Sequence, residues 1–432
     1  MAQQNQLGTQ CVQGGWQPAN GESRQVPIWQ TTTFKYDSSE QMARLFDLAE
    51  SGYFYSRLQN PTCDHAAAKI AQLEGGVAAM LTSSGQAATF MAVFNIAEAG
   101  SHIIATNNIY GGTFNLLGVT LRKMGIECTF VDPSMGDEEI QACFRPNTKL
   151  VFGETISNPG GQVCDIERWA RLAHANGVPL IIDNTFATPI HCRPFEWGAD
   201  IVTHSTTKYM EGHAATVGGC IVDSGRFDWM AHADKYPGLC TPDASYHGLV
   251  YAEAFGPAAY IVKATAQLMR DLGCCQSPQN AFQLHTGLET LHLRMRQHAD
   301  NAQAVAEMLA SDPRVAWVNY AGLPSDPNHA LAKKYLPNGG CGVMAFGLKG
   351  TREDATKFMD ALRLVAIMTH VADAKSCVLH PASTTHRQLS DDQLREAGIS
   401  PDFIRLSVGI EDVRDIKADL LQALDQALGA QS

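Results

Sequence analysis

The chain has 432 residues, of which 45% are hydrophobic and 18% are charged, values typical of a globular protein of two or three domains. Its 32 basic and 44 acidic residues give a net charge of -12 without a basic stripe, which argues against nucleic acid or an anionic membrane as partner. Residues 3–6 are polar, no apolar run approaches the roughly 20 residues of a membrane span, and the 12 cysteines contain no C-x-x-C pair. We therefore expect a cytoplasmic enzyme with reduced thiols.

Strands and helices alternate from about residue 63 onward, after an irregular first segment. Short apolar runs separated by helices are typical of buried parallel strands, so the sequence predicts an α/β sheet. Helices are missing after Asp183 and after Lys208, which favours an open sheet over an eight-fold barrel. The predicted strands are residues 77–82, 101–106, 126–132, 148–155, 178–183, 199–204 and 217–223, and a helix is predicted at 113–125 between the second and third of them.

The remainder of the chain has a different pattern. Residues 225–300 are predicted to be mainly helical, with clear helices at 254–273 and 288–310. After Pro313 a strand, a helix, another strand and a closing amphipathic helix follow, which indicates a second, α+β domain.

Polar residues follow several predicted strands, at the edge of an open sheet where ligands bind. Gly85 and Gln86 open a helix after the first strand, which suits a phosphate but is also an ordinary helix start. Tyr110 stands beside two glycines, either to stack on a planar ligand or to pack in its loop. Asp183 ends a strand of buried aliphatic residues and needs a cationic ring, an arginine or a helix N-terminus as partner.

The strand at 199–204 runs into His204, Ser205, Thr207 and Lys208. The S-x-x-K spacing occurs in serine acyl-enzymes, but the S-D-N and K-T-G companions of those enzymes are missing from the sequence. His204 and His213 lack an H-E-x-x-H motif or paired carboxylates, so no metal site is predicted.

One ligand accounts for these strand-end residues together. Lys208 offers an amine for an imine, Asp183 an anion for a pyridinium nitrogen, and Tyr110 a ring for stacking. Each feature is weak alone, but the ordered set predicts pyridoxal 5'-phosphate (PLP) as cofactor. The predicted phosphate donors are Gly85, Gln86, Ser205 and Thr207.

The motifs "YFYSRLQNPT", "NNIYGGT", "ETISNPG", "DNTFATP", "HSTTKY" and "RLSVGIED" make the chain resemble the cysteine/methionine-metabolism family of PLP enzymes over essentially its whole length. The resemblance implies an aspartate-aminotransferase-like fold, with an open, mostly parallel seven-stranded sheet and a smaller C-terminal α+β domain. It also implies an arm at residues 1–62 that contributes to the neighbouring subunit's site, a PLP-binding domain at 63–290 and a C-terminal domain at 291–432.

The resemblance also implies individual roles. Lys208 corresponds to the Schiff-base lysine, Asp183 to the partner of the pyridine nitrogen, and Tyr110 to the stacking residue that assists proton transfer. Arg405 corresponds to the arginine that binds the substrate α-carboxylate, with His370 nearby. The implied cofactor-binding residues are Gly85, Gln86, Ser205, Thr207, Glu154 and Asn158, with Tyr55 and Arg57 reaching the phosphate of the neighbouring subunit.

Within the family, residues 235–273 and the segment "HPASTTH" are similar to sulfhydrylases that act on O-acetylhomoserine. The implied reaction is γ-replacement, in which O-acetyl-L-homoserine and sulfide or a thiol give L-homocysteine or methionine plus acetate. Alternatives are γ-elimination as in methionine γ-lyases, O-succinylhomoserine sulfhydrylation and cystathionine γ-synthesis. Methionine γ-lyases carry cysteine where this chain has Gly112. The implied partners are an amino-acid substrate, sulfide or a thiol, and further copies of the chain in a dimer-based oligomer, expected to be a tetramer.

Three positions depart from the family pattern. His370 begins a segment that usually reads N-x-G-D-A-K, Glu211 stands where glycine is usual, and Cys377 replaces an aliphatic residue. These departures leave the roles of His370 and Glu211 open, and the preferred acyl group is not fixed by the sequence.

Overall fold

Two β-sheets organise the chain in the computed structural model, which describes residues 5–384, 400 and 402–430. The larger sheet has seven strands in the order β1-β7-β6-β5-β4-β2-β3. Its strands are β1 (Ala78–Thr82), β2 (His102–Thr106), β3 (Glu127–Val131), β4 (Thr148–Glu154), β5 (Leu180–Asp183), β6 (Ile201–His204) and β7 (Gly219–Asp223).

All strands of the larger sheet run parallel except β7, which is antiparallel to both of its neighbours, β1 and β6. The chain between β6 and β7, residues 205–218, contains no helix. A parallel neighbour needs a crossover connection, usually a helix, so this short loop returns the chain in the opposite direction. The prediction of an open, mostly parallel sheet is confirmed, although the strand predicted at 217–223 is not one of the parallel ones.

The larger sheet is buried on both faces. On β2, Ile104 belongs to the hydrophobic core on one side, whereas Ile103 and Ala105 belong to the core on the other side. This explains why the strands appear as continuous apolar runs. Because both faces are covered, a ligand reaches the sheet at the ends of its strands.

Local sequence features set the ends of the main helices. The helix Pro61–Glu74 begins after Asn60, whose side chain accepts a hydrogen bond from the N–H of Thr62, and it ends at Gly75 with φ of 78°. None of the helices in the described ranges is long and apolar enough to cross a membrane. The described helices of seven or more residues are Leu7–Gln13, Ser39–Phe46, Pro61–Glu74, Gly85–Phe94, Ile166–Ala175, Pro278–Glu289, Leu291–Ser311, His329–Tyr335, Arg352–Ala361 and Val413–Leu428.

Two segments predicted as single helices are interrupted. The predicted helix at 113–125 is a short α-helix, Gly111–Asn115, followed by a π segment and a 3₁₀ turn. The predicted helix at 254–273 is likewise broken at Gly256 and contains the π segment Ala264–Met269. Apolar periodicity does not distinguish these helix types from a regular α-helix.

The smaller sheet has five strands in the order β10-β11-β12-β9-β8, and only β10 and β11 are parallel. Helices Arg352–Ala361 and Val413–Leu428 contribute to its core. The predicted α+β character is confirmed, but the sequence predicted only two of the five strands, β9 and β12, and did not predict β8, β10 or β11. Its strands are β8 (Val315–Asn319), β9 (Val343–Leu348), β10 (Ala366–Ile367), β11 (Cys377–Leu379) and β12 (Phe403–Ser407).

The helix Leu291–Ser311 belongs to both halves of the molecule. Leu291 and Met295 lie in the core beside the larger sheet, whereas Val305 and Leu309 lie in the core beside the smaller sheet. The domain division at residue 290/291 stays a prediction, and it falls at the start of this shared helix. The last two residues of the segment "HPASTTH" lie outside the described residues.

Candidate active site

A cavity of about 280 Å³ lies at the carboxyl ends of the parallel strands, where the smaller sheet approaches the larger one. It brings together most of the residues singled out from the sequence. Three of them, His370, Tyr55 and Arg57, are not among its lining residues. The sequence-predicted residues that line the cavity are Gly85, Gln86, Tyr110, Glu154, Asn158, Asp183, Ser205, Thr207, Lys208 and Arg405.

Two carboxylates stand side by side at the floor of the cavity. Glu154 on β4 and Asp183 on β5 are direct partners in the parallel register. Burial raises the pKa of Asp183, and burial together with the charge of Asp183 raises the pKa of Glu154. Backbone N–H groups hold the carboxylates, Thr185 donating to Asp183 at 2.9 Å and Tyr110 to Glu154 at 2.8 Å. Such a pair is complementary to a buried cation.

A second buried pair lies next to these carboxylates. The Nε2 of His204 is 2.7 Å from Oε1 of Glu74, and both side chains are fully buried. Asn184 donates to the same glutamate oxygen at 2.8 Å, and the His204 imidazole helps to lower the pKa of Asp183 against the larger effect of burial. Sequence reasoning weighed His204 only as a metal ligand and did not identify Glu74. Among the described residues, no group of three or more His, Cys, Asp or Glu side chains is arranged to hold a metal ion.

Backbone and hydroxyl donors converge at another end of the cavity. The helix Gly85–Phe94 begins there, and its first N–H groups have no partners within the helix. A Cβ on Gly85 would lie 2.6 Å from the Cβ of Ser205, so glycine allows the helix to approach the turn after β6. The Thr207 hydroxyl donates to the carbonyl of Gly218 at 3.1 Å, which fixes this turn.

Lys208 ends the same turn and is half-buried. Its pKa is lowered by burial first and then by the positive charge of Arg405. Its Nζ lies 3.3 Å from Nδ1 of His370, and Nε2 of the same imidazole lies 3.4 Å from Oδ2 of Asp373. A lysine in this environment has an increased fraction of neutral, nucleophilic amine.

Glu211, the unexpected carboxylate three residues after Lys208, has a structural role. Its side chain is 3% exposed, and its Oε2 accepts hydrogen bonds from the N–H groups of His213 at 3.0 Å and Ala215 at 3.1 Å. These bonds hold the start of the loop from Lys208 to β7 in one conformation.

Arg405 on β12 supplies a buried cation from the smaller sheet. Its guanidinium donates to Oδ1 of Asn158 at 3.2 Å and to the carbonyls of Thr369 and His370 at 3.2 and 3.1 Å. No ion pair between described residues involves Arg405, so its charge remains available to an anionic ligand. Burial lowers its pKa.

The loop around His370 contains a strained residue. Ala372 has φ of 67°, a conformation that costs a non-glycine residue about 1 kcal/mol. Its N–H donates to Oγ of Ser407 at 2.8 Å, and the N–H of Ala374 donates to the carbonyl of Gly212 at 2.9 Å. These bonds join the loop to β12 and to the turn after Lys208.

Tyr55 and Arg57 do not reach the cavity of their own chain. The Arg57 guanidinium lies 5.2 Å from the centroid of the Tyr55 ring and donates to the carbonyl of Arg270. Tyr55 is 42% exposed. Their predicted contact with a neighbouring subunit's phosphate therefore stays a prediction.

The cavity fits an elongated, planar, anionic ligand with a cationic ring atom. A phosphate suits the helix start and hydroxyls beside Gly85, and a pyridinium nitrogen suits the buried carboxylate Asp183. Lys208 suits an aldehyde, and Tyr110 suits the face of a ring. The donor set therefore matches PLP.

Gly111 and Gly112 provide a matched test of this geometry. A Cβ on Gly112 would lie 2.5 Å from Cε1 of Tyr110 and 2.9 Å from Nε2 of Gln86, whereas a Cβ on Gly111 would meet nothing within 4 Å. We expect Gly112→Ala to displace the tyrosine ring and weaken PLP binding at least tenfold, about 1.4 kcal/mol. Gly111→Ala should bind PLP as the unmodified chain does. Titration of each apoprotein with PLP, followed by visible absorbance, measures both affinities. An equal loss of PLP affinity in the two variants would contradict the prediction that crowding at position 112 causes the loss.

Comparisons with known proteins agree with this site. Residues 8–425 match the family model described as Cys/Met metabolism PLP-dependent enzyme. The chain is 47% identical to a homocysteine synthase of Schizosaccharomyces pombe, with 96% of this chain and 97% of the relative covered. It is 45% identical to an O-acetyl-L-homoserine sulfhydrylase of Leptospira meyeri, with 96% of each covered.

A solved structure gives the same result for the fold. A Campylobacter jejuni protein named for O-acetylhomoserine (thiol)-lyase activity contains an N'-pyridoxyl-lysine-5'-monophosphate. It matches with a TM-score of 0.93 and 38% identity, over 97% of this chain and 99% of that one. The motifs, the cavity and these comparisons establish that the chain belongs to the Cys/Met-metabolism family of PLP-dependent enzymes.

Proposed function

We propose that this enzyme catalyses γ-replacement on O-acetyl-L-homoserine, with sulfide or a thiol as the incoming nucleophile and acetate as the leaving group. The products are L-homocysteine or, with methanethiol, methionine. The observation that carries the proposal is that Lys208, Asp183 and Arg405 line one cavity. The names of the S. pombe and L. meyeri relatives support the choice of reaction.

The chain's own residues would hold PLP in defined ways. Asp183 would pair with the pyridine nitrogen, Tyr110 would stack on the ring and Lys208 would bond to the aldehyde carbon. When bound, PLP acts as an electron sink that stabilises negative charge on the amino acid during bond breaking. The groups assigned to its phosphate are Gly85, Gln86, Ser205 and Thr207.

Substrate positioning falls to Arg405, and proton transfer falls to Lys208. The Arg405 guanidinium binds the α-carboxylate of the amino acid, for which its planar fork is suited. The Lys208 amine, once free, removes and returns protons at Cα and Cβ of the substrate, and its lowered pKa favours the neutral form that can accept them. Tyr110 assists proton transfer to the departing groups.

We also propose that the site is completed by a second copy of the chain in a dimer-based oligomer, with dimers pairing into a tetramer. The support is that Tyr55 and Arg57 lie outside the cavity of their own chain while Tyr55 is 42% exposed. In the dimer these two residues would reach the phosphate bound by the neighbour. The arm at residues 1–62 is thereby assigned to the neighbouring subunit's site.

The glycine at position 112 supports replacement over elimination. The chain has glycine where methionine γ-lyases carry cysteine, and any Cβ at this position would lie 2.5 Å from the Tyr110 ring. A cysteine therefore cannot enter this loop without moving the tyrosine.

An activity panel tests the reaction directly. The purified protein is given O-acetylhomoserine, O-succinylhomoserine or methionine, each with sulfide, methanethiol, cysteine or no nucleophile. We expect the highest kcat/KM for O-acetylhomoserine with sulfide or methanethiol. Formation of 2-oxobutyrate and methanethiol from methionine alone, at a higher kcat/KM, would identify a lyase instead. A preference for O-succinylhomoserine would identify an O-succinylhomoserine sulfhydrylase, and a preference for cysteine as nucleophile would identify a cystathionine γ-synthase.

Loss of the Lys208 amine should remove both the cofactor bond and the proton transfers. We expect Lys208→Ala to lower kcat by at least about 10⁴-fold and to abolish the visible absorbance of the covalently bound cofactor. Lys149→Ala is the control, because that lysine lies elsewhere and donates to the carbonyl of Lys235. A Lys208→Ala protein with normal turnover would exclude the assigned role.

Loss of Arg405 should act mainly on substrate binding. Charge-assisted hydrogen bonds contribute about 1.5–3 kcal/mol, so we expect Arg405→Ala to raise KM roughly 10- to 100-fold. Arg405→Lys should have a KM between those of the unmodified enzyme and of Arg405→Ala, because lysine keeps the positive charge but lacks the planar fork of the guanidinium. Steady-state kinetics with O-acetylhomoserine measure this, and an unchanged KM in both variants would remove Arg405 from the carboxylate site.

A further inference from the structure

His370 lies between the active-site lysine and a buried carboxylate. Its Nδ1 is 3.3 Å from Nζ of Lys208, and its Nε2 is 3.4 Å from Oδ2 of Asp373. The three side chains therefore form a continuous line of polar atoms. The His370 side chain is 21% exposed and that of Asp373 is 7% exposed, so solvent screens this line only in part.

Transfer of a proton from Lys208 to the imidazole requires one tautomer of the ring. Nδ1 can accept a proton from the lysine ammonium only if its own hydrogen is absent, which puts the ring hydrogen on Nε2. Nε2 has no hydrogen-bond partner among the described residues, and the anion that faces it is Asp373. The other oxygen of Asp373 is held by the N–H of Lys375 at 2.7 Å.

Several charged or titratable groups face the imidazole. Burial and then the positive charge of Lys208 lower the pKa of His370, Asp373 and Glu211 raise it, and Arg405 lowers it further. The thiol of Cys377 also donates to the His370 carbonyl at 3.3 Å. With burial and Lys208 as the largest effects, the ring is neutral near pH 7 and can accept a proton.

The ring and the backbone of His370 contact different residues of the site. It is the backbone carbonyl of His370, not its imidazole, that accepts a hydrogen bond from Arg405, at 3.1 Å. The imidazole is directed at Lys208 instead.

We propose that His370 is a positioning residue that exchanges a proton with Lys208, with Asp373 stabilising the imidazolium. The proton leaves Nζ of the lysine ammonium and binds Nδ1 of the imidazole, which keeps its hydrogen on Nε2, and the Asp373 carboxylate 3.4 Å away stabilises the resulting positive charge. The reverse transfer restores the ammonium, so no co-reactant is consumed. The inference rests on the proposed function only through the assignment of proton transfer to Lys208.

A titration of the apoprotein tests the three-residue line without substrate. Histidine labelled at Cε1 is followed by NMR against pH, and the His370 resonance is identified by its loss in His370→Asn. We expect Lys208→Met to raise the pKa of His370 and Asp373→Asn to lower it, each by about 1 pH unit. An unchanged pKa of His370 in both variants would overturn the proposal, whether or not the enzyme has the proposed activity.

The kinetics of the holoenzyme separate proton exchange from substrate binding. We expect His370→Asn to lower kcat about tenfold or more, to change KM less than about threefold and to remove one limb of the pH–kcat profile. Asp373→Asn should keep this limb of the pH–kcat profile but move its midpoint to a different pH. A raised KM with unchanged kcat and pH profile would assign the ring to carboxylate binding and overturn the proposal.

His174 provides the matched control. Its Nε2 lies 2.8 Å from Oδ2 of Asp200, so it forms a similar histidine–aspartate pair outside the cavity. We expect His174→Asn to keep both kcat and the pH profile. The visible spectrum of each holoenzyme confirms that PLP is retained, so a loss of activity through unfolding or cofactor loss is recognised.

Discussion

The burial of two carboxylates at the end of adjacent parallel strands is the constraint on which the site depends. Glu154 and Asp183 are register partners, so the sheet itself holds their charges together in a region with little water. An uncompensated pair of this kind is costly, and a cationic ligand relieves the cost. The register of the parallel strands therefore makes the site selective for a positively charged ring, because it places the two carboxylates together. The pair of His204 and Glu74 beside them extends this arrangement into the core.

Close approaches between separate elements determine the shape of the site. Glycine at position 85 allows a helix start to meet Ser205, and glycine at position 112 leaves room for the Tyr110 ring. The smaller sheet then adds Arg405 from the opposite side. Because Gly85, Ser205 and Arg405 come from parts of the chain far apart in sequence, the cavity forms only when both sheets are assembled. The relative positions of the side chains that line the cavity therefore depend on the packing of the whole chain rather than on one loop.

The sequence was sufficient to predict the residues at the strand ends, because doubly buried strands form continuous apolar runs and the polar residue that ends each run is conspicuous. Asp183 and Lys208 were identified in this way. The partner of His204 was not, since Glu74 lies 130 positions earlier at the end of a helix and no local pattern links the two. The two-residue strand Ala366–Ile367 is too short to produce a periodic pattern. Which atom of His370 faces Arg405 depends on side-chain rotation, which sequence patterns do not encode.

The helix Leu291–Ser311 has a mechanical consequence because one rigid rod is anchored in two cores. Its first turns are fixed beside the larger sheet, and its last turns are fixed beside the smaller sheet that carries Arg405. A rotation of the smaller sheet toward a bound amino acid must therefore bend this rod or turn it about its first residues, Leu291 and Met295. If the helix turned about its first residues, a small rotation near Met295 would displace Leu309, at the far end of the helix, by a larger distance.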